Sequence, residues 1–369
     1  MQNKESIVIC HITTVHGAFD DRIFYKEILS LKEQGFQLHL VAPYSKNETI
    51  QGIHIHAIPE YKSRWKRLFL GNLKAFNMAR KTKAVICHFH DPELMYCGTL
   101  LRLIGLKVIY DVHEDLSKQV LYKEWIKSKI IKKIFSILIK WFETFSCLFF
   151  QGIVAATEDI AAKFPVRKTV LVRNYPVLDL FRKSETSLER PNEFTMVYAG
   201  GLTRIRGILE IIDAVGLHQG KCKLVLLGEF DDSEYRNVCE KSQGWKHTKY
   251  FGKVKPDEVF TYIDMADAGF AMLYPIKNYL TSLPVKAFEY MAMEKPIIMS
   301  DFPYWKKLFD GCAVFSNPYN SRSISDAITL LLDDTELRNK LGKTGRLKIL
   351  SEMSWEKEKK TLFLLYNRI

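Results

Sequence analysis

Two short segments in the second half of the chain set glycines or a helix start beside basic side chains. In AGGLTRIRGILEII (residues 199–212), Gly200 and Gly201 follow an apolar run, and Arg204 and Arg206 precede a helical pattern. Glycine lets backbone approach a ligand closely. A helix N-terminus favours anions, and guanidinium groups match phosphate oxygens. The pattern reads as a diphosphate clamp; the plainer alternative is a glycine turn with two solvated arginines. In TSLPVKAFEYMAMEKPIIMSD (residues 281–301), Ser282 is placed to cap a helix with Pro284 near its first turn. Lys286 and Glu289 then share one face. A lysine there suits a phosphate, and a carboxylate that accepts two hydroxyl hydrogen bonds suits a ribose diol. The plainer alternative is a surface Lys–Glu pair beside a core stripe of Ala287, Phe288, Met291 and Ala292.

The first half offers a different set. HFHD holds His88, His90 and Asp91. In a strand the two histidines point to one face, as two metal ligands would. The sequence marks no distant third ligand, and His54 and His56 repeat the spacing without a motif, so no metal site is expected. Asp91, at a strand end, reads as a carboxylate that orients catalytic or acceptor groups. No D-x-D triplet is present, so a metal-bridged diphosphate is not expected either.

These residues need elements to hold them. SIVICHI, FQLHLVAP, AVICHFHD and LKVIYDVHE read as strands separated by helical patterns such as RIFYKEILSLKEQG, whose apolar residues are Ile23, Phe24, Ile28 and Leu31. The rhythm restarts with FTMVYAGG, KCKLVLLGEF, AGFAMLYP and KPIIMSD. Such alternation predicts an α/β protein of two tandem Rossmann-like, doubly wound domains facing an interdomain cleft, with ligands beyond the carboxyl ends of the strands. The expected division is residues 1–178, a linker over 179–192, a second domain over 193–350, and a final helix (351–369) packing back on the first.

The 369 residues suit two domains of ordinary size, and 47% hydrophobic content argues for packed cores. Seven scattered cysteines, without a CxxC pair, read as reduced thiols. The N-terminal apolar run is short for a signal peptide, and no stretch reaches the ~20 apolar residues of a spanning helix. A cytoplasmic protein is therefore expected. The net charge of +12 favours anionic partners. Residues 118–150 concentrate it: Lys123, Lys127, Lys129, Lys132, Lys133 and Lys140 alternate with Ile126, Ile130, Ile134, Leu138, Trp141 and Phe145 at helical spacing. This is the make-up of a helix lying in an acidic membrane interface, the alternative being a core helix with a solvated basic face. No nucleic-acid-binding module is present, so nucleic acid is not an expected partner.

The strand-GG-x4-RG segment, followed by P-x-K-x-FEYMA-x2-KP, resembles the donor half of glycosyltransferase family 4, a retaining family of GT-B fold. HGAFDDRIFYKE, HFHDPELMYCG, VIYDVHED and VRNYP resemble a bacterial surface-polysaccharide branch of that family, in its order and across nearly the whole chain. The resemblance implies that His113 contacts the donor sugar, Glu289 holds the donor ribose, and Arg206 and Gly17 lie near the phosphates. Catalysis is then expected from His113, Glu289 and Asp91. Gly17, Gly200, Gly201, Arg204, Arg206 and Lys286 are expected to bind the donor, with the base near residues 252–260. Two positions depart from the family pattern. Thr281 stands where another Glu is usual, and Gly201 where a basic residue often follows the first glycine; Arg204 and Lys286 would substitute. The implied activity is hexosyl or N-acetylhexosaminyl transfer from a nucleotide-sugar donor, UDP-linked, to a lipid-linked saccharide acceptor at the inner membrane face. No cofactor or metal is implied. A nucleotide-sugar 2-epimerase of the same architecture and a degenerate, non-catalytic binding module remain as alternatives.

Overall fold

The computed structural model describes residues 7–113, 120, 128–181, 192–276 and 279–369. Residues 182–191, most of the expected linker, lie outside the described residues. So does the part of the basic stretch before Ser128, apart from Val120. The chain divides into two compact units, residues 1–174 with 355–369, and residues 175–354.

In the first unit, eight strands form one sheet. They are β1 (Val8–Ile12), β2 (Gln37–Pro43), β3 (Glu48–Ile50), β4 (Ile53–Ile58), β5 (Ile86–Phe89), β6 (Lys107–Val112), β7 (Gly152–Ala155) and β8 (Thr169–Leu171). Their order is β3-β4-β2-β1-β5-β6-β7-β8, parallel except for the β3–β4 pair. β5 and β7 are buried throughout, as strands covered by helices on both faces must be. The chain reverses its direction of winding between β1 and β5. The helix Trp355–Arg368 belongs to this unit: Trp355 donates from Nε1 to Ser30 Oγ at 2.8 Å, and Leu365 covers Gly152.

The segment after β1 departs from the expected α-helix. Asp21–Ile28 is π-helical and only Leu29–Glu33 is α-helical. With i→i+5 hydrogen bonding, residues five apart share a face. Arg22 accordingly meets Glu27 at 3.0 Å, and Asp21 meets Lys26 at 2.6 Å. Asp20 caps the start by accepting from the amides of Arg22 and Ile23, both at 3.0 Å.

The second unit has six parallel strands, β9 (Phe194–Ala199), β10 (Cys222–Leu227), β11 (Thr248–Gly252), β12 (Ala268–Ala271), β13 (Ile297–Ser300) and β14 (Ala313–Ser316), ordered β11-β10-β9-β12-β13-β14. Winding reverses between β9 and β12. The unit begins at Tyr175, ahead of the expected boundary, because Tyr175 stacks edge-on against Phe288 and Phe181 against Phe260. Both sheets therefore have a switch point, where loops diverge and leave room for ligands.

Candidate active site

The donor-type residues of the second unit gather at its switch point. Gly200 follows β9 at φ +135°, a conformation open to glycine. Its amide bonds to Leu227 O at 2.8 Å, and the loop after β10 presses so close that a Cβ on Gly228 would lie 2.0 Å from Gly200 O. Neither position tolerates a side chain. Over Gly200 two cations converge. A Cβ there would stand 3.0 Å from Lys286 Nζ and 3.1 Å from Arg206 Nη1. Both are braced by Tyr198, whose ring lies 3.6 Å under the ammonium and whose hydroxyl accepts from Arg206 at 3.3 Å. Lys286 is half-buried. Desolvation, with the Arg206 charge beside it, holds its pKa well below the ordinary lysine value, and Glu289 opposes that shift. Two basic groups held this close form a site that gains from an anion.

Lys286 and Glu289 project from the helix Val285–Ala292. Its N-cap is Pro284, and no side chain caps it. The expected cap by Ser282 does not form: the N-cap position falls at Pro284, and the Ser282 hydroxyl donates to Tyr279 O at 3.0 Å. The first amides of this helix are thus left for another acceptor. Arg204 stands apart from the pair: it stacks over Tyr235 at 4.6 Å and faces Asp232 at 4.0 Å. Gly200, Gly201, Gly228, Lys253, Val254 and Val259 border one hollow of about 490 Å³, so the stretch expected near a base shares a cavity with the phosphate-type loop. Thr281 is exposed in the turn before the helix.

The first unit arranges its residues around two buried carboxylates at the ends of β5 and β6. Asp91 Oδ2 accepts from Thr14 N (2.5 Å), Thr13 Oγ1 (2.9 Å), Val15 N (3.2 Å) and Thr14 Oγ1 (3.3 Å). That carboxylate fixes the loop that carries Gly17. Gly17 is exposed, with nothing within 4 Å of a would-be Cβ, so a ligand could reach its backbone. His16, next to it, lies 3.1 Å from Asp20 and 3.6 Å from Asp91 Oδ1.

Asp111 organises His113. Its Oδ2 lies 2.7 Å from His113 Nε2, close but off the line of a directed hydrogen bond, so the contact is electrostatic. Arg22 grips the same carboxylate in a fork, Nε to Oδ2 at 3.2 Å and Nη2 to Oδ1 at 3.0 Å, and donates from Nη1 to Val172 O. His90 Nδ1 adds a contact at 3.0 Å. Burial alone would raise the Asp111 pKa. The Arg22 and His113 charges outweigh it and hold the group well below the carboxylate range. His113 is thus a part-exposed imidazole held against a buried carboxylate.

Sequence reasoning did not single out Arg22, Glu27, Asp111 or His11. All four lay inside quoted motifs or strands, but only the fold shows that they point inward together. Their hidden signal was the charge content of segments otherwise reading as core.

Two doubly wound parallel-sheet domains in tandem, with phosphate-type glycines and cations at the second switch point, define the GT-B glycosyltransferase fold. Residues 181–348 match the family model described as Glycosyl transferases group 1, so the second unit carries a domain of that kind. No curated protein matches the sequence. Among solved structures, the chain is similar to sucrose-phosphate synthase from Thermosynechococcus elongatus (TM-score 0.77, 16% identity, 98% of each chain covered). It is also similar to HepE from Anabaena in complex with UDP and glucose (TM-score 0.74, 12% identity, covering 98% of this chain and 99% of that one). A third is WaaG, a glycosyltransferase involved in lipopolysaccharide biosynthesis (TM-score 0.71, 11% identity, covering 97% and 99%).

Proposed function

We propose that the chain is a retaining glycosyltransferase of family 4 that moves a hexosyl or N-acetylhexosaminyl group from a UDP-sugar to a lipid-linked saccharide during surface-polysaccharide synthesis. The observation that carries this reading is the convergence of Lys286 and Arg206 over Gly200, beside the uncapped helix Val285–Ala292. Glycosyl transfer from a nucleotide sugar releases a diphosphate. Fixed cations and amides aimed at that leaving group stabilise the charge that grows on it as the sugar bond breaks. No added metal is required for that role. Glu289 holds the ribose hydroxyls, and the hollow bordered by Lys253, Val254 and Val259 takes the base. HepE was solved with UDP, which supports UDP as the nucleotide. His113, oriented by Asp111, acts on the sugar; Asp91 acts by holding the Gly17 loop.

The acceptor and membrane parts of the proposal draw support from the helix Lys129–Phe149. Its buried residues are Glu143, Ser146 and Cys147, whereas Ile130, Ile134, Ile137, Leu138 and Trp141 are exposed. Trp141 is 69% exposed and stacks on Phe145. Lys129, Lys133 and Lys140 are exposed among these apolar residues. The adjoining helix Met95–Leu103 exposes Tyr96, Leu100 and Leu103 as well. Among the described residues no helix is long and apolar enough to cross a membrane, so this face suits an interface rather than a span. A lipid-borne acceptor would be met there.

The test is calorimetric titration with UDP, GDP and ADP, with no divalent cation added. UDP is expected to bind selectively, and Glu289→Ala to weaken it. His113→Ala is expected to cut turnover far more than UDP affinity. Equal affinity of Glu289→Ala and the parent, or unchanged turnover in His113→Ala, would remove these assignments.

A further inference from the structure

Inside the first unit, away from the solvent edge where His113 stands, three imidazoles and a carboxylate converge. His11 comes from β1, His88 and His90 from β5 and its end, and Glu27 from the π-helical turn. One donor atom from each lies within 4.8 Å of all the others, and all four residues are fully or almost fully buried. The imidazole rings sit 4.7 to 5.1 Å apart.

We propose that His11, His88, His90 and Glu27 bind one divalent transition-metal ion, zinc by the chemistry of the ligand set, as a structural site in the first unit.

The argument begins with unmet valence. Neither Glu27 oxygen nor His88 Nε2 has a hydrogen-bond partner. Arg22 Nε is 3.0 Å from Glu27 Oε1, but its single N–H is donated to Asp111. The Arg22 charge is taken by the fork to Asp111, which leaves Glu27 as a buried carboxyl with no directed donor. Such groups are costly to bury and are commonly explained by an ion or a water.

Spacing agrees with an ion. Ligands about 2.0–2.1 Å from a tetrahedral zinc lie roughly 3.3 Å from one another. His11 Nδ1 to His90 Nε2 is 2.9 Å, just inside that spacing, and the remaining donor atoms lie within 4.8 Å. Shifts on the order of 1 Å would close the remainder. The surroundings supply the outer contacts that metal-bound histidines use. Asp111 takes Nδ1 of His90 at 3.0 Å, which leaves Nε2 with its lone pair, and the Tyr366 hydroxyl meets His88 Nδ1 at 2.7 Å. A second grouping, His90, Asp111 and His113, has its carboxylate already committed to Arg22 and is the weaker set.

Complete burial leaves no open coordination position, so the ion would be structural. It would tie β1, β5 and the π-helical turn together. Through Asp111, which His90 and His113 share, its loading would also bear on the placement of His113. The proposal does not depend on the glycosyltransferase reading.

The test is metal analysis of the full-length protein expressed in zinc-supplemented medium and dialysed against a weak chelator. About one zinc per chain is expected, with a lower melting temperature after removal by a strong chelator and recovery on adding zinc back. Cobalt(II) added to the stripped protein should give the visible absorption of a four-coordinate ion. In Glu27→Gln and His88→Gln, checked by circular dichroism for a folded state, zinc content should fall several-fold. If the parent holds only trace metal, shows no zinc-dependent melting shift and gives no cobalt spectrum, the proposal is overturned without recourse to any variant. Equal zinc content in a folded Glu27→Gln and the parent would likewise overturn the ligand assignment.

Discussion

Replacing Lys286 with methionine should weaken UDP binding and, with no ligand present, leave the second unit as stable or more stable. The two effects have one cause. The ammonium stands over Gly200 beside Arg206 Nη1 and over the Tyr198 ring at 3.6 Å. A phosphate oxygen seated against Gly200 would accept from both cations. A hydrogen bond to a charged group contributes about 1.5–3 kcal/mol. Coulomb attraction between unit charges ~4 Å apart near a protein surface is of similar size, about 4 kcal/mol at an effective dielectric constant of ~20. Allowing for the desolvation of the phosphate, a loss of about 2–3 kcal/mol is expected, or roughly 30- to 150-fold in Kd. Without ligand the sign reverses. Burial and Arg206 lower the lysine pKa in the folded protein. The unfolded chain therefore binds more protons than the folded one between that lowered value and the ordinary 10.5. In that window the lysine adds a stability that rises with pH, and below it the charged group is a net cost. The Lys286→Met substitution would abolish the slope. Calorimetry with UDP in two buffers of different ionisation enthalpy would read both affinity and proton uptake by Lys286, and thermal melts across pH would read stability. Unchanged UDP affinity would refute the phosphate role. Weaker affinity accompanied by a lower melting temperature would show that Lys286 is merely structural.

Asp111→Asn should destabilise the first unit by about 3 kcal/mol, because it removes the fork-bonded partner of the buried Arg22 guanidinium and leaves only Glu27 beside it; chemical denaturation would measure it, and turnover should fall in parallel as His113 loses its anchor. Gly228→Ala should lower the melting temperature and abolish UDP binding together, since its Cβ would strike Gly200 O at 2.0 Å in a backbone conformation that side chains rarely adopt. Hydrogen bonding to Asp20 raises the His16 pKa, and the Asp20 pKa, despite burial, is drawn down to about 2 by His16 and the helix amides. The His16 contribution to stability is therefore full below pH 6.5 and lost as pH rises through its folded pKa, whereas the Asp20 contribution is present above pH 3.8 and lost as pH falls toward 2. In an NMR titration Asp20→Asn should return the His16 pKa toward 6.5.

Much of the second unit was legible in the residues. Short apolar runs and Gly-Gly after a strand identify β9 and its loop, and the three-residue spacing of Lys286 and Glu289 places both on one helix face. The pairing of Lys286 with Arg206 was not legible, because it depends on how two segments far apart in the chain are brought together by the sheet. Ser282 misled for a local reason: its hydroxyl found a carbonyl ahead of the helix start. In the first unit, Ile23, Phe24, Ile28 and Leu31 fit an α-helical period, and that period conceals the π-helical register. Five residues apart on an α-helix, Arg22 and Glu27 would face different ways; with i→i+5 bonding they meet.

The two switch points thus solve the problem of placing charge in different ways. In the second unit the proposed anion-binding groups are backbone amides and two basic side chains braced by one tyrosine, brought together from distant segments by the sheet. In the first unit His113 leans on Asp111, whose ionisation is favoured by Arg22, which projects from the start of the π-helical turn. Arg22 and Asp111 are buried, and a buried ion pair with one member removed costs more than the intact pair contributes. The first unit should therefore fail cooperatively: substitutions at Arg22, Asp111 or His90 should have energetic effects that do not add, and in the absence of ligand Lys286 and Arg206 should couple with the opposite sign, since each basic group disfavours the charge of the other. Double-mutant cycles within each unit measure that difference directly, and additive costs for Arg22 and Asp111 would show that His113 is held by something other than this chain of contacts.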